Sequence, residues 1–244
     1  MTLQDRVVLI TGGARRIGRA IAMALAQRSA HIVCSYRHSS KEAAATVKTL
    51  EQYGIQAMAV QADVTQARDI QRLMDRIHRR YGRLDVLVNN AADFDRTPFE
   101  TLSEREWDRA IDTNLKGPFL CALYASRLMR RQQEGKIINL ADWAGVRPYR
   151  DYLPYCVSKA GVIGLTKALA KELAPTIQVN AIAPGPILPP NTMSRQARAR
   201  VAARPLLKRW GTPQDIANAV VFLIEGTDFM TGSVLFIDGG QLIA

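Results

Sequence analysis

The feature that most restricts the fold is a regular alternation of two hydrophobic periods along the chain. The runs "RVVLIT", "HIVCSY", "AMAVQAD", "LDVLVNN", "GKIINLA", "IQVNAIAP" and "SVLFIDGG" are short, β-branched and apolar enough to be buried strands. Between most of them lie segments with helical spacing, at 17–29, 40–53, 66–81, 104–131, 152–174 and 213–224. This alternation predicts a doubly wound parallel sheet with right-handed crossovers and helices on both faces, a three-layer αβα Rossmann fold. Ligands of such sheets sit beyond the carboxyl ends of the strands. The 244 residues fit one domain, 1–244, with no linker, repeat or low-complexity tract. The main irregular stretch, about 184–212, holds four prolines by position 190 and then an arginine-rich, helical-looking piece. A loop this long predicts a substrate lid.

The net charge of +11 raises the possibility of a nucleic-acid partner. The basic residues are dispersed, however, and "RLMDRIHRRYGR" and "RLMRRQQEG" read as exposed ends of amphipathic helices. No nucleic-acid-binding motif is present, so the charge predicts a basic enzyme surface that attracts a small anionic ligand. No apolar run is long enough to span a bilayer, and no membrane partner is expected. "MTLQDRVVLI" passes straight into a strand, so no signal peptide is expected. Cys34, Cys121 and Cys156 form neither a CxxC pair nor a metal-ligand spacing. These features predict a cytoplasmic protein without a metal.

"TGGARRIG" follows the first strand and opens a helix. Gly12 and Gly13 permit a tight turn, Gly18 permits close helix–strand packing, and the helix N-terminus offers N–H groups to a phosphate. Arg16 stands where a dinucleotide loop has a small residue. The second strand ends in "CSYRHSS", without the acid that would accept bonds from the ribose hydroxyls of NAD. Arg37, His38 and Ser39 sit where a 2′-phosphate would lie, within approach of Arg15. Guanidinium groups suit a phosphate, so NADPH is the expected cofactor. Asp63, in "QADVT", is placed to meet the adenine.

"YCVSK" puts Tyr155 and Lys159 one above the other on a helix face. A free phenol has a pKa of about 10. A lysine cation within about 4–6 Å would lower that value and make the tyrosine a usable general acid.

With "DV" at 63–64, "NNAA" at 89–92, Asn114, "PG" at 184–185 and the terminal "TGSVLFIDGG", the chain resembles the short-chain dehydrogenase/reductases over nearly its whole length. The resemblance implies that Tyr155 donates the proton, that Lys159 lowers its pKa and holds the nicotinamide ribose, and that Asn114 holds a relay water. It implies cofactor contacts at Gly12, Ala14, Arg15, Arg16, Ile17 and Gly18. Further contacts follow at Asp63 and Val64, at Asn90 and Ala91, and at Pro184, Gly185 and the backbone near Ile187. It also implies a homotetramer built through the helices at 114–131 and 152–174.

The family usually has a serine thirteen residues before the tyrosine, and this chain has Asp142. An ionised carboxylate only accepts hydrogen bonds and would repel a developing oxyanion. It suits a substrate with N–H donors and a basic ring nitrogen. The pteridine reductases, which the chain resembles here, carry a basic pair before an aliphatic residue and glycine, as in "ARRIG". They also carry an aspartate at the position of Asp142 and a phenylalanine matching Phe94. Bacterial dihydromonapterin reductases share the arginine pair, the aspartate and a similar "SYR" strand end. The resemblance implies that Arg16 contacts cofactor phosphate and pterin, and that Phe94 stacks on the pterin.

Ala92 and Asp93 depart from the serines of the parasite enzymes, and Pro189 replaces a threonine common near the nicotinamide amide. Trp143, Arg147 and Tyr149 follow the aspartate and are candidates to shape the pocket. The expected activity is NADPH-dependent C=N reduction of a dihydropteridine or dihydrofolate-like substrate. Two alternatives stay open: a carbonyl reductase of a 3-oxoacyl, sugar or ketone substrate, and a non-catalytic binding protein that keeps the fold.

Overall fold

The computed structural model describes residues 1–190 and 192–244, so the lid expectation at position 191 lies outside the described residues. Seven parallel strands form one sheet: β1 Val7–Thr11, β2 His31–Tyr36, β3 Ala57–Gln61, β4 Val86–Asn89, β5 Gly135–Leu140, β6 Ile177–Pro184 and β7 Val234–Ile237. Their order is β3-β2-β1-β4-β5-β6-β7. β1 pairs β2 from Val7 with His31 and β4 from Val8 with Val86, so the winding reverses between β1 and β4. That reversal opens a crevice beyond the strand ends.

The described residues form eight α-helices: α1 Arg16–Ala26, α2 Ser40–Glu51, α3 Ala67–Tyr81, α4 Glu104–Ile111, α5 Gly117–Gln132, α6 Leu153–Leu173, α7 Arg195–Ala202 and α8 Pro213–Val221. Strand alternation divides the core. Val8 and Ile10 point to a layer with Ile21 and Leu25 of α1 and Ile216 and Val220 of α8. Leu9 points to the opposite layer with Leu73 and Ile77 of α3 and Cys121 and Met129 of α5. Val8, Leu9 and Ile10 are fully buried, and each such side chain contributes about 1.5–3 kcal/mol. Among the described residues no helix is long and apolar enough to cross a membrane, and the three cysteines are buried and unpaired.

Three helix expectations are corrected. The segment expected at 17–29 ends at Ala26, and Ser29 beyond it takes a left-handed φ of 62°. The segment expected at 213–224 leaves α-geometry after Val221 for a π-turn, Phe222–Gly226. The single helix expected over 104–131 is α4 and α5 joined by a π-turn, Asp112–Lys116. Pro118 explains the break. It has no N–H for the Asn114 carbonyl four residues earlier, and the ladder widens so that Gly117 N–H donates to Asp112 O. The π-turn carries Asn114 inward, where it is buried. The segment expected to form a lid contains α7, started by Ser194, whose hydroxyl accepts from Ala197 N–H.

Candidate active site

A cleft of about 920 Å³ opens at the carboxyl ends of the strands. The turn from β1 into α1 forms one wall, with Gly12, Ala14 and Arg15 to Gly18 all lining it. Asn90, just beyond β4, braces this turn: its Nδ2 donates to Thr11 O at 2.8 Å and to Gly12 O at 3.2 Å. A Cβ on Gly18 would collide with Gly12 O, so only glycine lets the helix start pack this closely. Arg16 holds a φ of 53°, left-handed backbone that costs a non-glycine residue about 1–2 kcal/mol. Its side chain and that of Arg15 are exposed at the helix N-terminus, a combination that fits a dinucleotide pyrophosphate.

Arg37, His38 and Ser39 line the cleft beyond β2, with Asp63 and Val64 beyond β3. Arg37 is not free there: its Nε lies 3.0 Å from Asp63 Oδ2. Asp63 Oδ1 accepts from Thr65 N and Oγ1 at 3.0 and 2.9 Å. The acid expected at the adenine therefore already holds the base expected at a 2′-phosphate. Asn90, Ala91, Pro184, Gly185 and Ile187 complete this side of the cleft. The donors and the close backbone approach fit a nicotinamide dinucleotide.

Asp142, Tyr155 and Lys159 meet at the cleft's inner wall. Asp142 caps a short 3₁₀ turn, Trp143–Gly145, and its Oδ1 accepts from Ala144 N–H at 2.8 Å. Gly145 presses this turn against α6, where a Cβ would stand 2.8 Å from Ala160 N. The Tyr155 hydroxyl donates to Asp142 Oδ2 at 2.7 Å. Lys159 Nζ donates to Leu140 O at 2.6 Å and lies 5.7 Å from the centre of the Tyr155 ring.

Burial, then the carboxylate of Asp142, push the Tyr155 phenol well above its ordinary pKa. Lys159, expected to lower that value, points its ammonium to a carbonyl, while the acid touches the hydroxyl. Burial also raises Asp142, against the donors from Ala144, Tyr155 and the Lys159 charge. Burial lowers Lys159 to about 8, with Asp142 opposing. Asn114 lies behind the wall rather than on it. Its Oδ1 accepts from Asp93 N at 2.8 Å, and its Nδ2 donates to Asp93 O at 2.9 Å and Ser158 Oγ at 3.1 Å. The side-chain amide is thus committed to protein partners, and the Asn114 carbonyl, which Pro118 cannot meet with an N–H, is the group left for the relay water proposed there.

Phe94 is 48% exposed and lines the cleft. Its ring stacks on Tyr152, with centroids 4.7 Å apart, and meets Tyr155 edge-on at 4.6 Å. Of the three pocket candidates that follow Asp142, Tyr149 lines the cleft, with Trp143 packed edge-on behind it. Arg147 turns away, donating to Gln241 O at 3.3 Å and Ala244 O at 2.7 Å. Sequence reasoning missed Tyr152, Arg204, Trp210 and Gln241, which also line the cleft. Tyr152 had a signal, lying one helical turn before Tyr155; Arg204 lies in the arginine-rich stretch of the expected lid, whereas Trp210 and Gln241 had none.

A family model described as enoyl-(acyl carrier protein) reductase matches residues 12–241. A 3-oxoacyl-[acyl-carrier-protein] reductase FabG from Staphylococcus aureus is 39% identical over 237 residues, covering 96% of either chain. A 3-oxoacyl-[acyl-carrier-protein] reductase from Synechocystis is 39% identical over 244 residues, covering 99% of this chain and 98% of that one. The crystal structure of a provisionally assigned short-chain alcohol dehydrogenase from Sinorhizobium meliloti covers both chains fully, with a TM-score of 0.94 and 34% identity. On the matched sequence, the shared fold and the clustered tyrosine and lysine, the chain belongs to the short-chain dehydrogenase/reductase family.

Proposed function

We propose that the chain is an NADPH-dependent reductase acting on a ring C=N bond of a pterin-type substrate. One observation carries this reading: the 2.7 Å bond from the Tyr155 hydroxyl to Asp142 Oδ2. A bound reduced nicotinamide supplies a hydride to the ring carbon. The chain's task is then to deliver one proton to the ring nitrogen. The raised pKa keeps the proton on Tyr155 and makes the phenol a weaker donor, so it transfers only once hydride addition has made the ring nitrogen strongly basic, while Asp142 orients the hydroxyl and accepts from the N–H that forms. A ketone would place growing negative charge against the same carboxylate, an unfavourable contact in a buried site. Arg15, Arg16, Arg37, His38 and Ser39 support the phosphorylated cofactor, and the exposed Phe94 ring offers a flat ring a stacking surface.

The relatives' names favour a second reading. Proteins 39% identical over 96% or more of this chain are 3-oxoacyl-[acyl-carrier-protein] reductases, which is the carbonyl-reductase alternative. Burial gives that reading a physical route, because a protonated Asp142 would donate to a carbonyl oxygen as a serine does.

NADPH oxidation by the purified protein separates the two readings. Turnover of dihydrobiopterin or dihydrofolate, lost in Asp142→Ser, is expected. Turnover of acetoacetyl thioesters with none of any pterin would overturn the pterin reading. The exposed Phe119 and Leu123 of α5 and Leu153 and Val157 of α6 support the homotetramer, which light scattering would test. The buried free cysteines suit a reducing, cytoplasmic setting.

A further inference from the structure

Behind β7 the chain makes a C-terminal turn that the proposed proton chemistry does not use. Asp238 fixes it: Oδ1 accepts from Gly240 N–H at 2.9 Å and Oδ2 from Leu242 N–H at 2.8 Å. Gly240 takes a left-handed φ of 79°, which frees the chain to reverse. Arg147, on the segment that follows Asp142, holds the carbonyls of Gln241 and Ala244. The backbone of Gln241 is therefore tied both to the last strand and to the catalytic loop.

The side chain of Gln241 is not tied. It is 6% exposed and lines the cleft, yet its Oε1 accepts no hydrogen bond among the described residues. Buried side-chain oxygens nearly always have a donor, because an unpaired one forfeits its hydration. A fixed backbone carrying an unpaired, buried amide into a ligand cleft is an arrangement that a ligand completes. A carboxamide holds an acceptor and a donor side by side. Its complement is an edge that presents N–H beside C=O, as a cyclic amide does.

We propose that Gln241 is a substrate-recognition residue whose carboxamide pairs with the amide edge of a heterocyclic substrate. This rests on the pterin reading, since the pyrimidinone ring of a pterin has such an edge. The pairing adds selection to the site: a ring system of equal size without the amide leaves Gln241 unpaired and binds more weakly.

The test is calorimetric titration of the NADP⁺-loaded protein with biopterin and with quinoxaline, a bicyclic ring without the amide edge. Gln241→Leu is expected to weaken biopterin about tenfold or more and to leave quinoxaline within twofold. Gln241→Met, closer in length, repeats the measurement if leucine lowers the melting temperature. Biopterin binding by wild type that both variants retain overturns the role of Gln241 and leaves the pterin reading standing. Equal weakening of both ligands also overturns it, since that marks a packing role. A wild-type protein that binds no pterin overturns the pterin reading and this inference with it.

Discussion

Arg37 Nε lies 3.0 Å from Asp63 Oδ2, across the ends of neighbouring strands β2 and β3. The guanidinium that would meet a 2′-phosphate thus already has an anionic partner. The pair is partly exposed, 56% on the arginine side, and such pairs contribute about 0–1 kcal/mol. Charge-assisted bonds to a phosphate contribute about 1.5–3 kcal/mol, so the phosphate wins the arginine.

Asp63→Asn should therefore raise the preference for NADPH over NADH by up to about fivefold, the equivalent of about 1 kcal/mol. Arg37→Ala should lower it by about ten- to a hundredfold. Both cofactors carry the same adenine, so the ratio of their dissociation constants, read by fluorescence titration, cancels any effect of Asp63 on that ring. An unchanged ratio in Arg37→Ala removes Arg37 from the phosphate site.

Lys159 links activity and stability to pH with opposite signs. Burial lowers its pKa from 10.5 to about 8. Below about pH 8 it is charged in both the folded and the unfolded chain. Between 8 and 10.5 the unfolded chain holds the proton and the folded chain does not, so this group's contribution to stability rises with pH there. The charge expected to hold the cofactor ribose is lost over the same window, and NADPH affinity should fall above about pH 8. Asp142 opposes the lowering, so Asp142→Asn should move the fall to lower pH. The pH profile of NADPH binding checks both points; a profile flat to pH 10 in wild type contradicts them.

The sheet was legible because buried parallel strands are continuous apolar runs, and "VVLI" or "KIINL" has no other comfortable place in a soluble domain. The candidate cofactor and catalytic residues were legible as types, and the fold brings Gly12, Arg37, Asp142, Tyr155 and Lys159 to one cleft. Their mutual geometry was not legible. Arg37 and Asp63 are partners because β2 and β3 are neighbours, a relation set by sheet register. The Tyr155 shift comes first from burial in the folded site and then from Asp142, whose turn Gly145 lets approach α6. The π-turn at Asn114 could have been read from Pro118 four residues later. Gln241 could not have been found, because its only signal is an unpaired atom in a folded cleft.

Arg16 is kept in left-handed backbone at a φ of 53°, and strain of this kind persists where the side chain has a use. Arg16→Gly should relieve about 1–2 kcal/mol and raise the melting temperature by about 2–4 °C for each kcal/mol. The same variant should weaken NADPH and pterin binding together. Arg16→Ala keeps the strain and loses the guanidinium, so it should bind as poorly without the gain in stability. Differential scanning calorimetry on the three proteins, beside cofactor titration, separates backbone from side chain. A glycine variant no more stable than the alanine one would show that the backbone is not strained.

Phe94 is held from both sides by one arginine. Arg109 Nε of α4 lies 2.9 Å from Asp93 Oδ2, and the same guanidinium pairs with Asp95. Asn114 grips the backbone N and O of Asp93, so the loop ahead of the ring is fixed and the ring itself is left facing the cleft. Arg109→Gln removes both ion pairs and leaves Asn114 in place. The ring should then sample more orientations, and ordering it again on binding costs about 0.5–1.5 kcal/mol. The KM for a flat aromatic substrate should rise by about two- to tenfold, with kcat and NADPH affinity within twofold. Arg109→Lys, which can keep one of the two pairs, should fall between. Steady-state kinetics on the three proteins decide it: a KM that does not move in Arg109→Gln means that Asn114 alone holds the loop.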